Sequence, residues 1–293
     1  MKVAIIGGGG KMGRWFAELL KADGHDVMLS GRNRQNLENA GREMGIPVAA
    51  TAEAVTSADV VLISVNIDSL EAVISELAPL IGPEQIIIEI SSVKTLPTRL
   101  MRQYLPEARW LGVHPMFGPG ARSYRGHNFI LTPTDENDGL TVRVRDFLER
   151  KGGHVSVMSP VEHDEMMTVI LGLSHFIAIV TADCLLDFNG LEKTRSVSST
   201  TYKVLLDLVE SVVAEDPSLY GTLQMNLPQL PELESLFCEK GAWWADVVKR
   251  QDFAGFISRM QSLKERFQER DPDFINAYDN LYRLADNGHN RPK

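Results

Sequence analysis

Cysteine is nearly absent from this chain: there are two, Cys184 and Cys238, with no CxxC pair and no metal-type spacing. A disulfide framework and a cysteine-based metal centre are thereby excluded, no metal is expected, and both residues are read as buried thiols of a reducing compartment. Aromatic residues amount to only 7%, and basic residues are outnumbered 30 to 39, for a net charge of −9. That balance argues against nucleic-acid or anionic-membrane partners, while leaving room for a local basic pocket that takes an anionic ligand. No uncharged apolar run approaches the ~20 residues of a membrane span. The first apolar run, Lys2–Ile6, breaks into glycine too early for a signal sequence. The expectation is a soluble, cytoplasmic protein of ordinary globular composition, 44% hydrophobic and 24% charged. Its 293 residues make one or two domains of ~100–200 residues each.

The hydrophobic pattern divides the chain. Short Val/Ile/Leu-rich runs at Lys2–Ile6, Asp26–Ser30, Asp59–Ser64, Gln85–Ile90 and Arg109–Val113 alternate with helix-like segments at Lys11–Lys21, Arg34–Met44 and Ser69–Leu80. His127–Leu131, a helix over Leu140–Lys151 and His154–Val157 complete the series. Strands alternating with helices predict an α/β fold with a parallel sheet covered on both faces. After Ser159-Pro160 the period changes to threes and fours, with apolar stripes from Met166 to Leu185 and from Tyr202 to Val213. Asp216-Pro217 and Asp252 read as helix starts, the latter running towards Arg270. Residues 1–159 are therefore expected to form a Rossmann-type, doubly wound domain and residues 160–293 an all-helical one, with a frayed tail from Asn287.

Gly8-x-Gly10-x-x-Gly13 follows the first strand and opens the first helix, the context that gives a glycine motif meaning as a dinucleotide fingerprint. Gly8 is expected to allow the tight turn, Gly10 the approach of a pyrophosphate, and Gly13 close packing of helix on strand. Lys11, Met12 and Ser64 are placed beside the same ligand. The second strand ends in Ser30-Gly31-Arg32-Asn33-Arg34 rather than in the carboxylate that bonds a free ribose hydroxyl. A hydroxyl and two guanidiniums suit a 2′-phosphate, so NADP is the expected cofactor, with NAD as the other possibility.

Two loops follow later strands, where ligands bind in open α/β sheets: Ser91-Ser92-Val93-Lys94 and His114-Pro115-Met116-Phe117-Gly118-Pro119. A neutral imidazole at His114 suits proton abstraction from a substrate hydroxyl near pH 7. Ser92 is expected to orient it, and Lys94 to meet a substrate carboxylate.

These motifs together resemble the prephenate dehydrogenase family: the Gly8–Gly13 loop, Ser92-Val93-Lys94, and Leu111 through Pro119. In the second half, Val161-Glu162-His163-Asp164, Leu173-Ser174-His175-Phe176 and Ala214 through Tyr220 are similar in matching order. The likeness weakens around Leu227–Gly241, where Pro228 and Pro231 intervene. It implies a monofunctional enzyme of tyrosine biosynthesis with a nucleotide-binding domain and a helical domain that forms a homodimer. It further implies that His114 draws the proton from the C4 hydroxyl of prephenate while hydride passes to the nicotinamide, with Ser92 bonding His114 or the same hydroxyl. Carbon dioxide leaves, giving 4-hydroxyphenylpyruvate, and His175 reaches the pocket from the long helix.

One position departs from the family pattern. The arginine that clamps the substrate's side-chain carboxylate is expected five residues before Asp216, where this chain has Ser211. Arg195 is the expected replacement, with Lys203 as the second choice. Otherwise the substrate is a different cyclohexadiene, such as arogenate or 4-amino-4-deoxyprephenate. A β-hydroxyacid-type NADP reductase and a catalytically inert nucleotide sensor are the competing readings of the fold.

Overall fold

The computed structural model describes residues 1–133 and 138–289. It divides the chain into two compact units, Met1–Met167 and Thr168–Lys293. The first unit is built on a seven-stranded sheet in the order β2-β1-β3-β4-β5-β6-β7. Its strands are β1 (Lys2–Ile6), β2 (Asp26–Ser30), β3 (Val60–Ile63), β4 (Ile86–Glu89), β5 (Arg109–Pro115), β6 (Asn128–Thr132) and β7 (His154–Val157). All neighbours are parallel except β5 and β6. The expected parallel sheet is thus present, with one antiparallel pair added. The β5–β6 connection contains no crossover helix, and without one the chain returns antiparallel.

Six helices complete this sheet: α1 (Lys11–Ala22), α2 (Arg34–Met44), α3 (Thr51–Ser57), α4 (Ile67–Leu77), α5 (Thr95–Tyr104) and α6 (Gly139–Arg150). Helices α1, α2 and α6 pack in one core with Ile5, Leu29, Leu111 and Phe129 of the strands. Helices α3, α4 and α5 pack on the other face against Ala4, Val61, Ile87 and Trp110. Alternate residues of each strand thus feed opposite cores, which is why the strands read as continuous apolar runs. Short helix α7 (Pro160–Met167) closes the unit. Strand order reverses between β1 and β3, so the crevice beyond their carboxyl ends is where a ligand belongs in this topology.

The second unit opens with a π-helical stretch, Thr168–Leu173, followed by α8 (Ser174–Leu186), α9 (Leu191–Thr194), α10 (Thr200–Val213) and α11 (Pro217–Met225). Then come α12 (Leu230–Lys249), α13 (Phe253–Arg270) and α14 (Ala277–His289). Asp216 and Asp252 cap their helices as expected, each side chain accepting a bond from a backbone N–H. Pro231 does not interrupt α12, because it occupies the first turn, where its missing N–H costs nothing. Helix α14 reaches His289, into the tail expected to fray from Asn287; the rest of that tail lies outside the described residues.

Two expectations from composition are overturned. Cys184 and Cys238 are exposed, because they sit on helix faces that their unit does not cover. The helical stretch Pro160–Leu186 is long and apolar enough to cross a membrane, with a mean hydropathy of 2.1 over its most apolar window. Inside it the run from Met166 to Ala182 carries no charged residue.

Candidate active site

The glycine loop joins β1 to α1 beside the carboxyl end of β3. Gly7, not Gly8, makes the tight turn: its φ is +85°, and a Cβ there would lie 2.0 Å from the Ser64 carbonyl oxygen. Gly8 instead packs against Leu29, and a Cβ on Gly13 would lie 2.4 Å from the Gly7 carbonyl oxygen. The four consecutive glycines carried that signal, which the motif spacing alone assigned to the wrong residue. Gly10 caps α1 with no side-chain bond, leaving the helix's first N–H groups directed at the cleft.

A cleft of about 370 Å³ lies over this loop. Gly10, Arg32 and Ser64 of the expected cofactor residues line it, with Gly7, Asn33 and Asn36. Lys11 is exposed at the start of α1, and Met12 packs on the core. Ser30 does not face the cleft: it is 1% exposed and its hydroxyl bonds the Thr51 hydroxyl at 3.1 Å. Arg34 is the first residue of α2 and is paired with Glu38 at 2.6 Å. Of the three expected phosphate ligands, Arg32 alone is at the cleft, its guanidinium donating to the Ser69 hydroxyl at 2.7 Å.

His114 is the next-to-last residue of β5 and is 4% exposed. Its Nδ1 lies 2.8 Å from Nε2 of His163, and His163 Nδ1 lies 2.7 Å from Asp164 Oδ1. Asp164 in turn accepts the Lys94 N–H at 2.7 Å and the Thr95 N–H at 2.8 Å. A carboxylate only accepts, so His163 donates from Nδ1 and its Nε2 carries the lone pair. His114 must then donate from Nδ1, which leaves its Nε2 as the acceptor. Two residues in the middle of α7 thus fix the tautomer a general base requires. Sequence reasoning noted His163-Asp164 only as a family likeness. The adjacent His-Asp pair was the available signal.

The same network corrects two assignments. Ser92 makes no hydrogen bond to His114 among the described residues, where His163 holds Nδ1, which leaves for Ser92 the expected bond to the substrate hydroxyl. Lys94 is fully buried rather than open to a substrate: its Nζ lies 2.5 Å from Glu89 Oε1. Glu89 also accepts from the Ser91 hydroxyl and N–H. Gly112 leaves the space for this pair, since a Cβ there would lie 2.9 Å from Glu89 Oε1. Glu89 is the third residue the structure adds, after His163 and Asp164.

Burial pushes the His114 pKa well below its ordinary 6.5, and the Lys94 and His163 charges push the same way. Burial also lowers His163, against the opposing bond to Asp164. Burial would raise Asp164, but bonds from His163, Thr95 and Lys94 outweigh it and hold the carboxyl below its ordinary value. Both imidazoles are therefore neutral in the folded state where unfolded ones begin to charge. Below the ordinary value of 6.5 the unfolded chain binds more protons, so stability falls as pH drops through that region. Asp164 adds its loss only below its ordinary 3.8. Urea midpoints at about pH 7.5 and about pH 5.5 should show the first loss, and His114→Asn should shrink it. An unchanged pH response in that variant would remove His114 from the titration.

In the second unit, His175 is half-buried against Tyr220, ring centroids 4.6 Å apart, and its Nδ1 has no partner. Arg195 is exposed and ion-paired with Glu210, so it is not the free cation expected of a carboxylate clamp. Lys203 and Ser211 are exposed on α10, with the Ser211 hydroxyl donating to the Leu208 carbonyl.

Residues 16–157 match the model of the prephenate dehydrogenase nucleotide-binding domain, and residues 159–262 that of the prephenate dehydrogenase dimerization domain. A probable arogenate/prephenate dehydrogenase of Methanocaldococcus jannaschii is 30% identical over 272 residues, 91% of this chain. The chain spans only 61% of that relative's length. The 4-amino-4-deoxyprephenate dehydrogenase of Streptomyces pristinaespiralis is 22% identical over 90% of both chains. In fold, the chain superposes with a TM-score of 0.73 on a prephenate dehydrogenase from A. aeolicus, solved with hydroxyphenyl propionate and NAD+. That match covers 92% of this chain and 98% of the other at 21% identity.

Proposed function

We propose, because the chain belongs to the prephenate dehydrogenase family, that it oxidatively decarboxylates a prephenate-type cyclohexadiene. The observation that carries this reading is the Asp164–His163–His114 chain, which leaves a neutral imidazole nitrogen as proton acceptor. The glycine cradle, which side chains would fill, and the open start of α1 fit a dinucleotide's pyrophosphate. A nicotinamide held there supplies the hydride acceptor. His114 Nε2 takes the proton from the substrate hydroxyl as that carbon is oxidised. Loss of the ring carboxylate as carbon dioxide makes the ring aromatic, and the proton on His114 returns to the phenolic oxygen. His163 and Asp164 are positioning residues, since they act through His114.

The substrate is proposed as prephenate, with arogenate and 4-amino-4-deoxyprephenate as the alternatives raised by the relatives' names. In the helical unit, His175 is proposed as a substrate contact, and Arg195 as the carboxylate cation once it leaves Glu210. Nicotinamide reduction measured for these three substrates with NAD and NADP tests the assignment. Turnover of prephenate above the other two supports it, and turnover of none removes the reading.

NADP is proposed as the preferred cofactor, now on Arg32 rather than on Ser30 or Arg34. Arg32→Ala should raise the KM for NADP by roughly ten- to a hundredfold, the loss of a charge-assisted contact, and leave NAD nearly unaffected. Equal effects on both would refute the 2′-phosphate role. The apolar stretch after Met167 is read as a homodimer interface, because Val169 and Ile170 are about half exposed on it. Glu162, Asp164 and Glu165 at its start weigh against a membrane span.

A further inference from the structure

The first unit holds another cavity of about 370 Å³, with Val3, Leu62, Ile86, Ile88 and Val113 in its floor and Phe16 and Phe147 in its walls. It shares no lining residue with the glycine-loop cleft. Val113 and His114 are successive strand residues and so face opposite sides of the sheet, which places this cavity away from the proposed catalytic face. Its size is that of a small-molecule site.

Two polar atoms in it are unpartnered. Tyr124 is 4% exposed and lines the cavity, yet its Oη has no hydrogen bond. The same holds for Nδ1 of His25, also a lining residue. Both rings pack on Phe147, with centroids 5.8 and 6.3 Å away. Buried donors and acceptors are almost always paired in native proteins, and two orphans in the lining of an apolar cavity indicate an occupant.

Charge sets the ligand's direction. Asp23 acts electrostatically on Tyr124 but is ion-paired with Lys151, so that end is charge-balanced and calls for a neutral polar group rather than an anion. The lining contributed by exposed Arg143 and Arg150 of α6, against the single acid Asp146, favours one. We infer that the cavity binds a small cyclic alcohol or phenol that carries a carboxylate. Its hydroxyl, both donor and acceptor, meets Tyr124 and His25. Its carbon ring lies on the isoleucines, and its carboxylate faces Arg143 and Arg150.

The test uses the full chain with methyl-labelled Ile, Leu and Val, titrated with 3-(4-hydroxyphenyl)propionate or 3-phenylpropionate and followed by NMR. The hydroxylated probe should shift the methyl signals of Leu62, Ile88 and Val144 saturably. Its Kd should be about 1 mM or tighter, the affinity that about twelve non-hydrogen atoms support. Tyr124→Phe should weaken it about five- to tenfold and leave 3-phenylpropionate unchanged. Replacing Arg143 and Arg150 together by glutamine should weaken both probes, whereas His114→Asn should alter neither at these methyls. Without a probe, Tyr124→Phe should melt no lower than the parent, since it loses only an unpaired hydroxyl. Absence of shifts at these methyls would overturn the site. So would equal binding of the hydroxylated probe to Tyr124→Phe and the parent. A lower melting temperature for that variant would do the same, because the hydroxyl would then already be satisfied by water.

Discussion

Replacing His114 by asparagine is expected to remove most turnover, by ~10²–10⁴-fold, the usual contribution of a general base. Asparagine keeps a hydrogen-bonding side chain of similar reach but cannot accept the hydroxyl proton. The KM should therefore change much less than kcat. Asp164→Asn should act in the same direction with a smaller effect. An amide can donate to His163, which admits the opposite tautomer and leaves His114 without a defined acceptor nitrogen. Steady-state kinetics of both variants check this. If His114→Asn turns over at a near-parental rate, the proton goes elsewhere.

Loss of stability should be largest at the buried ion pair. Glu89 and Lys94 have side chains 2% and 0% exposed, so neither can turn to water when the other is removed. Lys94→Met should cost about 3–5 kcal/mol, because it leaves an uncompensated carboxylate in the interior. The double variant with Glu89→Leu should recover much of that, since an apolar pair of similar volume can replace a buried ion pair. Denaturant unfolding of the two variants measures both effects. A single variant that loses less than about 1 kcal/mol would mean that Glu89 finds another partner or is neutral. Lys94 also lowers the His114 pKa through its charge, so any Lys94→Met protein that folds should show its acid limb at a higher pH.

The α/β unit was legible because its strands are short β-branched runs, the first two closed by glycine, and because periodicity changes after Ser159. Two of its helices were not read. Helix α3 spans only seven residues, too few to show a period. Helix α5 begins directly after the Ser91–Lys94 loop, whose chemistry drew attention away from the TLPTRLMRQY pattern behind it. The antiparallel turn between β5 and β6 depends on a connection without a helix, which local sequence marks only weakly. His114 itself could be found because it follows the apolar run Arg109–Val113, although the strand extends through it to Pro115. Its partners could not, since His163 and Asp164 lie 49 and 70 residues from the groups they bond in His114 and Lys94. Lys94 was misread for the same reason: a lysine is ordinarily a surface charge, and only the tertiary fold brings Glu89 against it.

The central claim is that oxidation of the hydroxyl-bearing carbon and loss of the ring carboxylate are one reaction at His114. Nicotinamide reduction and carbon dioxide release, followed together on prephenate with the full chain, test it most directly. The account predicts equal amounts of both at every time point, and both lost in parallel in His114→Asn. Reduction of the nicotinamide without release of carbon dioxide would contradict it and identify an ordinary hydroxyl dehydrogenase built on the same fold.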